Sequence, residues 1–334
     1  MSQPYTILKN ADPGVNLPIA VLLAKASQAA YGEAATPDAW AKSAGIPGAT
    51  LFDRSNVQGF WCVHDGVGVL AFRGTSNIGQ WIRDARFFPA EFPWGRLHIG
   101  FRDGVGAVMP DLEAFAKAAA GANYVWVTGH SLGGALAVIA AARLKMLASK
   151  PISAQVYTYG QPRVGLEGFV GRFDKELPGR LVRFINQQDI VPRVPTDPFY
   201  HHGGLGKRIV SPGVLATAQA VAPIVPSDER GVALMRALEG AAESAAAAEA
   251  TLARGMAHPA PQSTYLADGD LPSLTPEQFA ELQFGLGADP VETAGHATPR
   301  SGEAPVARAM TIPAIADHAI AEYIRLLDEI AKKG

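Results

Sequence analysis

Gly129-His130-Ser131-Leu132-Gly133 places a hydroxyl nucleophile in a setting suited to chemistry. Glycines two residues before and two after the serine permit a sharp strand-to-helix turn, which lifts Oγ above the carboxyl ends of the strands. The flanks supply both elements. Val125-Trp126-Val127 reads as a buried strand, and Ala135 to Leu147 as an Ala/Leu-rich helix. The N-terminus of that helix favours the negative charge of a tetrahedral intermediate. The pentapeptide alone is a weak signal in a chain with 35 glycines; the strand and helix around it make it specific. Ser131 is the candidate nucleophile, and the backbone N–H of Leu132 is a candidate oxyanion donor.

A serine hydroxyl is a poor nucleophile until an imidazole takes its proton, and the imidazole needs a carboxylate to orient it. The histidines are His64, His98, His130, His201, His202, His258, His296 and His318. His130 adjoins the serine, where side chains at a tight turn diverge. His64 and His98 precede Ser131, against the serine–acid–histidine order that goes with this turn. His258 and His296 fall in loop-like sequence. That leaves His201, His202 and His318. Among the acids, Asp189 follows the apolar run Leu181 to Ile185, just past the carboxyl end of a strand and on the rim where Ser131 sits. Asp197, in Thr196-Asp197-Pro198, is the alternative and reads better as a turn residue.

The segment Val127-Thr128-Gly129-His130-Ser131-Leu132-Gly133-Gly134-Ala135-Leu136-Ala137 resembles the nucleophile segment of the fungal-type (class 3) lipases. Four more segments are similar to that family in the same order: Ala71-Phe72-Arg73-Gly74-Thr75-Ser76, Trp81-Ile82-Arg83-Asp84, His98-Ile99-Gly100-Phe101 and Gly160-Gln161-Pro162-Arg163-Val164-Gly165. Asp189-Ile190-Val191-Pro192-Arg193-Val194-Pro195 resembles the segment holding the family's catalytic acid. The resemblance covers roughly residues 57 to 204 and resumes at Asp317-His318.

The resemblance implies an α/β-hydrolase with Ser131, Asp189 and His318 as its triad, and a structural role for His201 and His202, which stay the alternative base. It implies that Thr75 gives the second oxyanion donor through its N–H and its hydroxyl. Arg73 is expected in a structural ion pair with Asp84. The stretch Asn77 to Pro93 corresponds to a short helical lid, with Ile78, Trp81 and Ile82 on its inner face against substrate. The implied activity is hydrolysis of carboxylic esters of acylglycerol-type lipids through an acyl-serine intermediate. A short-chain carboxylesterase or a phospholipase is the near alternative. A hydrolase-fold binding protein without catalysis is the alternative from another class, and the full triad speaks against it. No cofactor or metal is called for.

These residues must be held by strands alternating with helices, the pattern of a mainly parallel sheet covered on both faces. Val57 to His64 and Val67 to Phe72 flank Asp65-Gly66, a strong hairpin signal. Helices are expected from Pro18 to Tyr31, from Phe101 to Ala119, from Leu166 to Leu177 and from about Ala316 to Lys332. Further strands are expected at Ala154 to Tyr159 and Leu181 to Ile185. Residues 1–334 read as a single α/β-hydrolase domain, within which residues 204–310 form a mostly helical insertion and a candidate cap. Its signals are an Ala-rich stripe after Ser227-Asp228 and a helix start at Thr275-Pro276-Glu277-Gln278.

The chain has 334 residues and a formal net charge of -2, from 29 basic and 31 acidic side chains, which argues against non-specific nucleic-acid binding. A single cysteine, Cys62, permits no intrachain disulfide. Residues 125 to 142 carry no charge, but the glycine-rich turn inside them argues against a membrane span. The expected partner is a lipid or small-molecule ester, with transient contact at a lipid interface and an open oligomeric state. The N-terminus shows no signal-peptide pattern, so a cytoplasmic location or export by a leader-independent route is expected.

Overall fold

The chain enters a sheet through two tight hairpins. β1 (Thr50–Arg54) turns at Ser55-Asn56 into β2 (Val57–His64), which turns at Asp65-Gly66 into β3 (Val67–Phe72). All four turn residues have positive φ, from 44° to 77°, the geometry whose twist matches antiparallel strands. The computed structural model describes residues 4–10, 14–32, 34–75, 78, 81, 88–147, 151–186, 189–195, 200–210, 265–268 and 318–332. They divide into two compact units, Met1–Arg208 with Asp268–Gly334, and Ile209–Ala267.

β3 is buried at every position and begins the parallel part of the sheet. β4 (Pro89–Phe92) and β5 (Gly95–His98) form a separate hairpin, and β6 (Tyr124–His130), β7 (Gln155–Tyr159) and β8 (Leu181–Asn186) join the main sheet. The order is β1-β2-β3-β6-β7-β8, followed by β9 (Leu205–Val210). Neighbours from β3 to β8 run parallel, and nearly every residue of β6, β7 and β8 is buried. Strands buried on both faces read as continuous apolar runs, which is why Val125-Trp126-Val127 was legible.

α1 (Leu17–Ala29) is capped by Asn16, whose side chain accepts from the Ile19 N–H at 3.1 Å. α2 (Pro37–Ala44) follows, capped by Thr36. The expected helix from Phe101 to Ala119 is two helices, α3 (Ile99–Ala107) and α4 (Met109–Ala118). Pro110 explains the break: it has no N–H for the preceding turn, and its ring would meet the Gly106 carbonyl of a continuous helix. The apolar spacing runs on because Val105, Leu112 and Phe115 all reach the core. α5 (Leu132–Lys145) starts directly after Ser131 and buries eleven residues. α6 (Glu167–Glu176) and α7 (Ile320–Ala331) complete the set. α7 packs against α1, with Lys25 Nζ 3.4 Å from Asp328 Oδ2. His318 lies in the turn ahead of α7; residues 316 and 317, the expected start of that helix, lie outside the described residues. Among the described residues no helix is long and apolar enough to cross a membrane.

Candidate active site

Ser131 sits at φ 58° and ψ -131°, a strained backbone for a residue with a Cβ. Its neighbours explain how it is held. A Cβ on Gly129 would collide with the Gly133 backbone, and one on Gly133 with the Phe72 carbonyl, so strand, turn and helix approach at distances only glycine allows. The Ser131 N–H donates to the Tyr159 carbonyl at 2.9 Å, tying the turn to β7. Strain held this way is typical of functional positions, at a cost of about 1–3 kcal/mol.

Asp189 is fully buried three residues past β8. Its Oδ1 accepts from the Val191 N–H at 2.8 Å, which closes a turn and fixes the carboxylate plane. Its Oδ2 accepts from His318 Nδ1 at 2.8 Å and from the Tyr323 hydroxyl at 2.6 Å. Tyr323 in turn accepts from the Asn186 N–H at 2.8 Å. Donors of this kind offset the cost of taking a carboxyl group out of water. Tyr323 was not singled out in the sequence. Its place, five residues after His318 on the first turn and a half of α7, carries no mark of this role in the sequence.

Gly160, at φ 56°, gives the pair its room. A Cβ there would lie 2.6 Å from Asp189 Oδ2 and 2.8 Å from His318 Nδ1. The structure therefore brings Asp189 and His318 together. It does not form the hydrogen bond expected between His318 and Ser131: Ser131 Oγ and His318 Nε2 are both buried, with no hydrogen-bond partner among the described residues. Such bonds are often loose in unliganded hydrolases and tighten with substrate.

His130 is buried and carries its own contacts. Nε2 lies 2.6 Å from the His318 carbonyl oxygen and Nδ1 lies 2.9 Å from the Tyr31 hydroxyl. Its ring lies 4.5 Å from that of His318, tilted by 33°. Burial, then the nearby His318, hold its pKa well below the usual 6.5, so it is neutral. The alternative base candidates lie elsewhere. His202 bonds the Pro192 carbonyl at 2.8 Å, and His201 pairs with Gly165 in an isolated bridge. His98 packs on Phe101, with ring centroids 4.2 Å apart. Asp197, His258 and His296 lie outside the described residues.

The loop after β3 reaches the nucleophile. A Cβ on Gly74 would stand 3.1 Å from Ser131 Cβ, which brings the backbone next to Thr75 close to the turn. Leu132 opens α5, where the first N–H groups have no partner within the helix. Arg73 donates to Gln58 and its guanidinium stands 5.8 Å from the Tyr31 ring; Asp84, its expected ion-pair partner, lies outside the described residues. Ile78 and Trp81 are helical and half-buried, and Trp81 stacks on Phe101 at 6.1 Å. Ile82 lies outside the described residues. The lone thiol, Cys62, sits in β2, and burial pushes its pKa up to about 12, which leaves it unreactive. Among the described residues no cluster of metal-ligating side chains is present.

Residues 69–199 match the lipase (class 3) family. A lipase of Rhizomucor miehei is 38% identical over 145 residues, covering 40% of this chain and 39% of the relative. A secreted mono- and diacylglycerol lipase of Fusarium solani is 36% identical over 141 residues, covering 40% and 41%. The match thus spans about two fifths of the length of these relatives. A solved triacylglycerol lipase, described as having a serine protease triad as its catalytic centre, superposes with a TM-score of 0.50 at 26% identity. That superposition covers 61% of this chain and 84% of the other. The fold is that of the α/β-hydrolases.

Proposed function

We propose that this chain belongs to the fungal-type class 3 lipase family and hydrolyses carboxylic esters of acylglycerol-type lipids through an acyl-serine intermediate. One observation carries the reading. Ser131 stands on a strained turn at the carboxyl end of β6, within a site where Asp189 and His318 are already hydrogen-bonded at 2.8 Å. In this reading His318 Nε2 takes the Ser131 proton as Oγ attacks the ester carbonyl, and Asp189 stabilises the imidazolium that forms. The Leu132 N–H and the Thr75 N–H and hydroxyl receive the oxyanion. Collapse of the intermediate transfers the His318 proton to the leaving alcohol. Water then repeats the sequence on the acyl-enzyme, releasing the acid and restoring Ser131 Oγ–H.

Ile78, Trp81 and Ile82 form the inner face of a lid over the acyl pocket in this proposal, and residues 204–310 are an insertion carried by one hydrolase domain. The full burial of Ser131 supports a covered site. A lipid surface is the proposed partner during turnover. The test is a p-nitrophenyl ester series of rising chain length with fluorophosphonate labelling. Ser131→Ala should lose on the order of 10⁴–10⁶-fold in kcat and all labelling while staying folded. Unchanged turnover in that variant would overturn the reading. A sharp preference for the shortest esters would favour the carboxylesterase alternative.

A further inference from the structure

We propose that Tyr31 and His130 act as a positioning pair for the base, fixing the main chain at His318 through a two-step hydrogen-bond chain that starts just past the end of α1. The proposal rests on the ester-hydrolase reading and assigns work to two residues that take no part in its proton transfers.

The polarity of the chain follows from atom types. The His318 carbonyl can only accept, so His130 Nε2, 2.6 Å away, must carry the hydrogen. A neutral imidazole with hydrogen on Nε2 accepts at Nδ1, so the Tyr31 hydroxyl, 2.9 Å away, donates. One tautomer satisfies both bonds. His318 is thereby anchored at two ends: its imidazole Nδ1 on Asp189 and its carbonyl on His130. With the carbonyl released, the ring could still bond Asp189 while Nε2 loses its fixed position in the site. That matters because His318 stands in a turn ahead of α7, outside the helix's own hydrogen-bond ladder.

The other end of the chain touches the oxyanion loop. Tyr31 Oη occupies the space that a Cβ on Gly74 would need, and that same Cβ would lie 3.1 Å from Ser131 Cβ. The Tyr31 ring also carries the Arg73 guanidinium at 5.8 Å. The pair therefore spans from the loop before Thr75 to the main chain of the base. His130 precedes Ser131 and is the last residue of β6, in register with Tyr159, so the sheet holds the bridge in place.

The test uses p-nitrophenyl butyrate, a short soluble ester, on the full chain. His130→Gln keeps an N–H where Nε2 stands and loses the acceptor for Tyr31. His130→Asn reaches only as far as Nδ1 and loses the donor to His318. The Asn variant should lose about 10- to 100-fold in kcat with KM changed by less than about threefold, the signature of a misplaced base. The Gln variant should stay within about fivefold of the parent at a similar urea midpoint. Tyr31→Phe should lower kcat by about three- to tenfold, and that factor should vanish in the Gln background, where no Nδ1 is left to receive its proton.

Equal losses in the Gln and Asn variants, or a Tyr31 effect that persists in the Gln background, would overturn the proposal. If both His130 variants fail to fold, Tyr31→Phe decides alone. Parent-like kcat overturns the proposal; a fall at unchanged KM and urea midpoint supports it. Fluorophosphonate labelling of the parent keeps the two readings apart. A parent that neither labels nor turns over refutes the hydrolase itself, whereas an active parent with indifferent variants refutes only the positioning pair.

Discussion

Tyr323 and Asp189 meet at 2.6 Å, hydroxyl on Oδ2, and the same oxygen accepts from His318 at 2.8 Å. The acid is thus held by donors from two directions, and Tyr323 passes the constraint on to the Asn186 N–H at the end of β8. Tyr323→Phe removes the donor to Oδ2 and the acceptor for Asn186 in one step, both fully buried. Leaving such groups unmatched costs about 1–3 kcal/mol, which should appear as a lower urea midpoint with unchanged m-value. kcat should fall as well, because the Oδ2 that orients His318 loses one of its two donors and the carboxylate is held less firmly. A Phe variant with the parent's midpoint and kcat would show that the Tyr323 hydroxyl adds nothing.

His130 predicts a pH dependence of stability. The folded chain holds its imidazole neutral, with a pKa well below 6.5, while the unfolded chain titrates it near that value. As pH falls through this region the unfolded state takes up a proton that the folded state refuses, so stability is full above it and lost as pH falls toward the depressed value. The slope from this one group is at most about 1.4 kcal/mol per pH unit. His130→Gln should remove that component from urea midpoints followed from about pH 7.5 to about pH 5.5. Parallel curves for parent and variant would mean that the buried ring accepts its proton normally.

Thr75→Gly separates the two donors assigned to that residue. The glycine keeps the backbone N–H and deletes the hydroxyl, so a hydroxyl in contact with the oxyanion should show as a loss in kcat/KM at or below ~2.7–4 kcal/mol. An unchanged kcat/KM would assign the work to the N–H alone.

Much of this site was legible because its geometry imposes composition. The turn at Ser131 demands glycine at 129 and 133, where a Cβ would strike backbone, and glycine is visible in a sequence. Asp189 was legible because β8 is an apolar run with an acid just past its end. Tyr31 and Tyr323 were not, because a tyrosine near a helix end is ordinary until folding sets its hydroxyl against a particular atom. Their partners lie 99 and 134 residues away, with no periodicity to announce them. The break at Pro110 could have been placed by the proline alone; the apolar spacing masked it, because both helices bury the same stripe. The Ser55-Asn56 turn was missed for a related reason: β1 exposes four of its five residues and so lacks an apolar signature.

The proposed lid makes the least local claim. Burial of apolar surface is worth roughly 25 cal/mol per Å², so if Trp81, stacked on Phe101, belongs to a lid, it favours closure in water, and a lipid surface offers the same burial to an open form. Activity on a medium-chain ester should rise more steeply above the ester's solubility limit than below it. Ile78→Ser with Trp81→Ser should flatten that rise and spare turnover of a short soluble ester. Saturable kinetics without a break, the same in both proteins, would reject a moving lid.

The packing of α7 on α1 has a temporal side. A ribosome that has made β1 to β8, the nucleophile turn and Asp189 has not yet made the proposed base, since His318, Tyr323 and the helix that carries them emerge more than a hundred residues later. Until then Asp189 lacks two of its donors, and the α1 face that will receive α7 stays bare. Contacts of such long sequence separation form late and slowly. The proposed hydrolase is therefore incomplete through much of its synthesis and carries an unfinished apolar face meanwhile, the kind of surface that aggregates unless it is shielded.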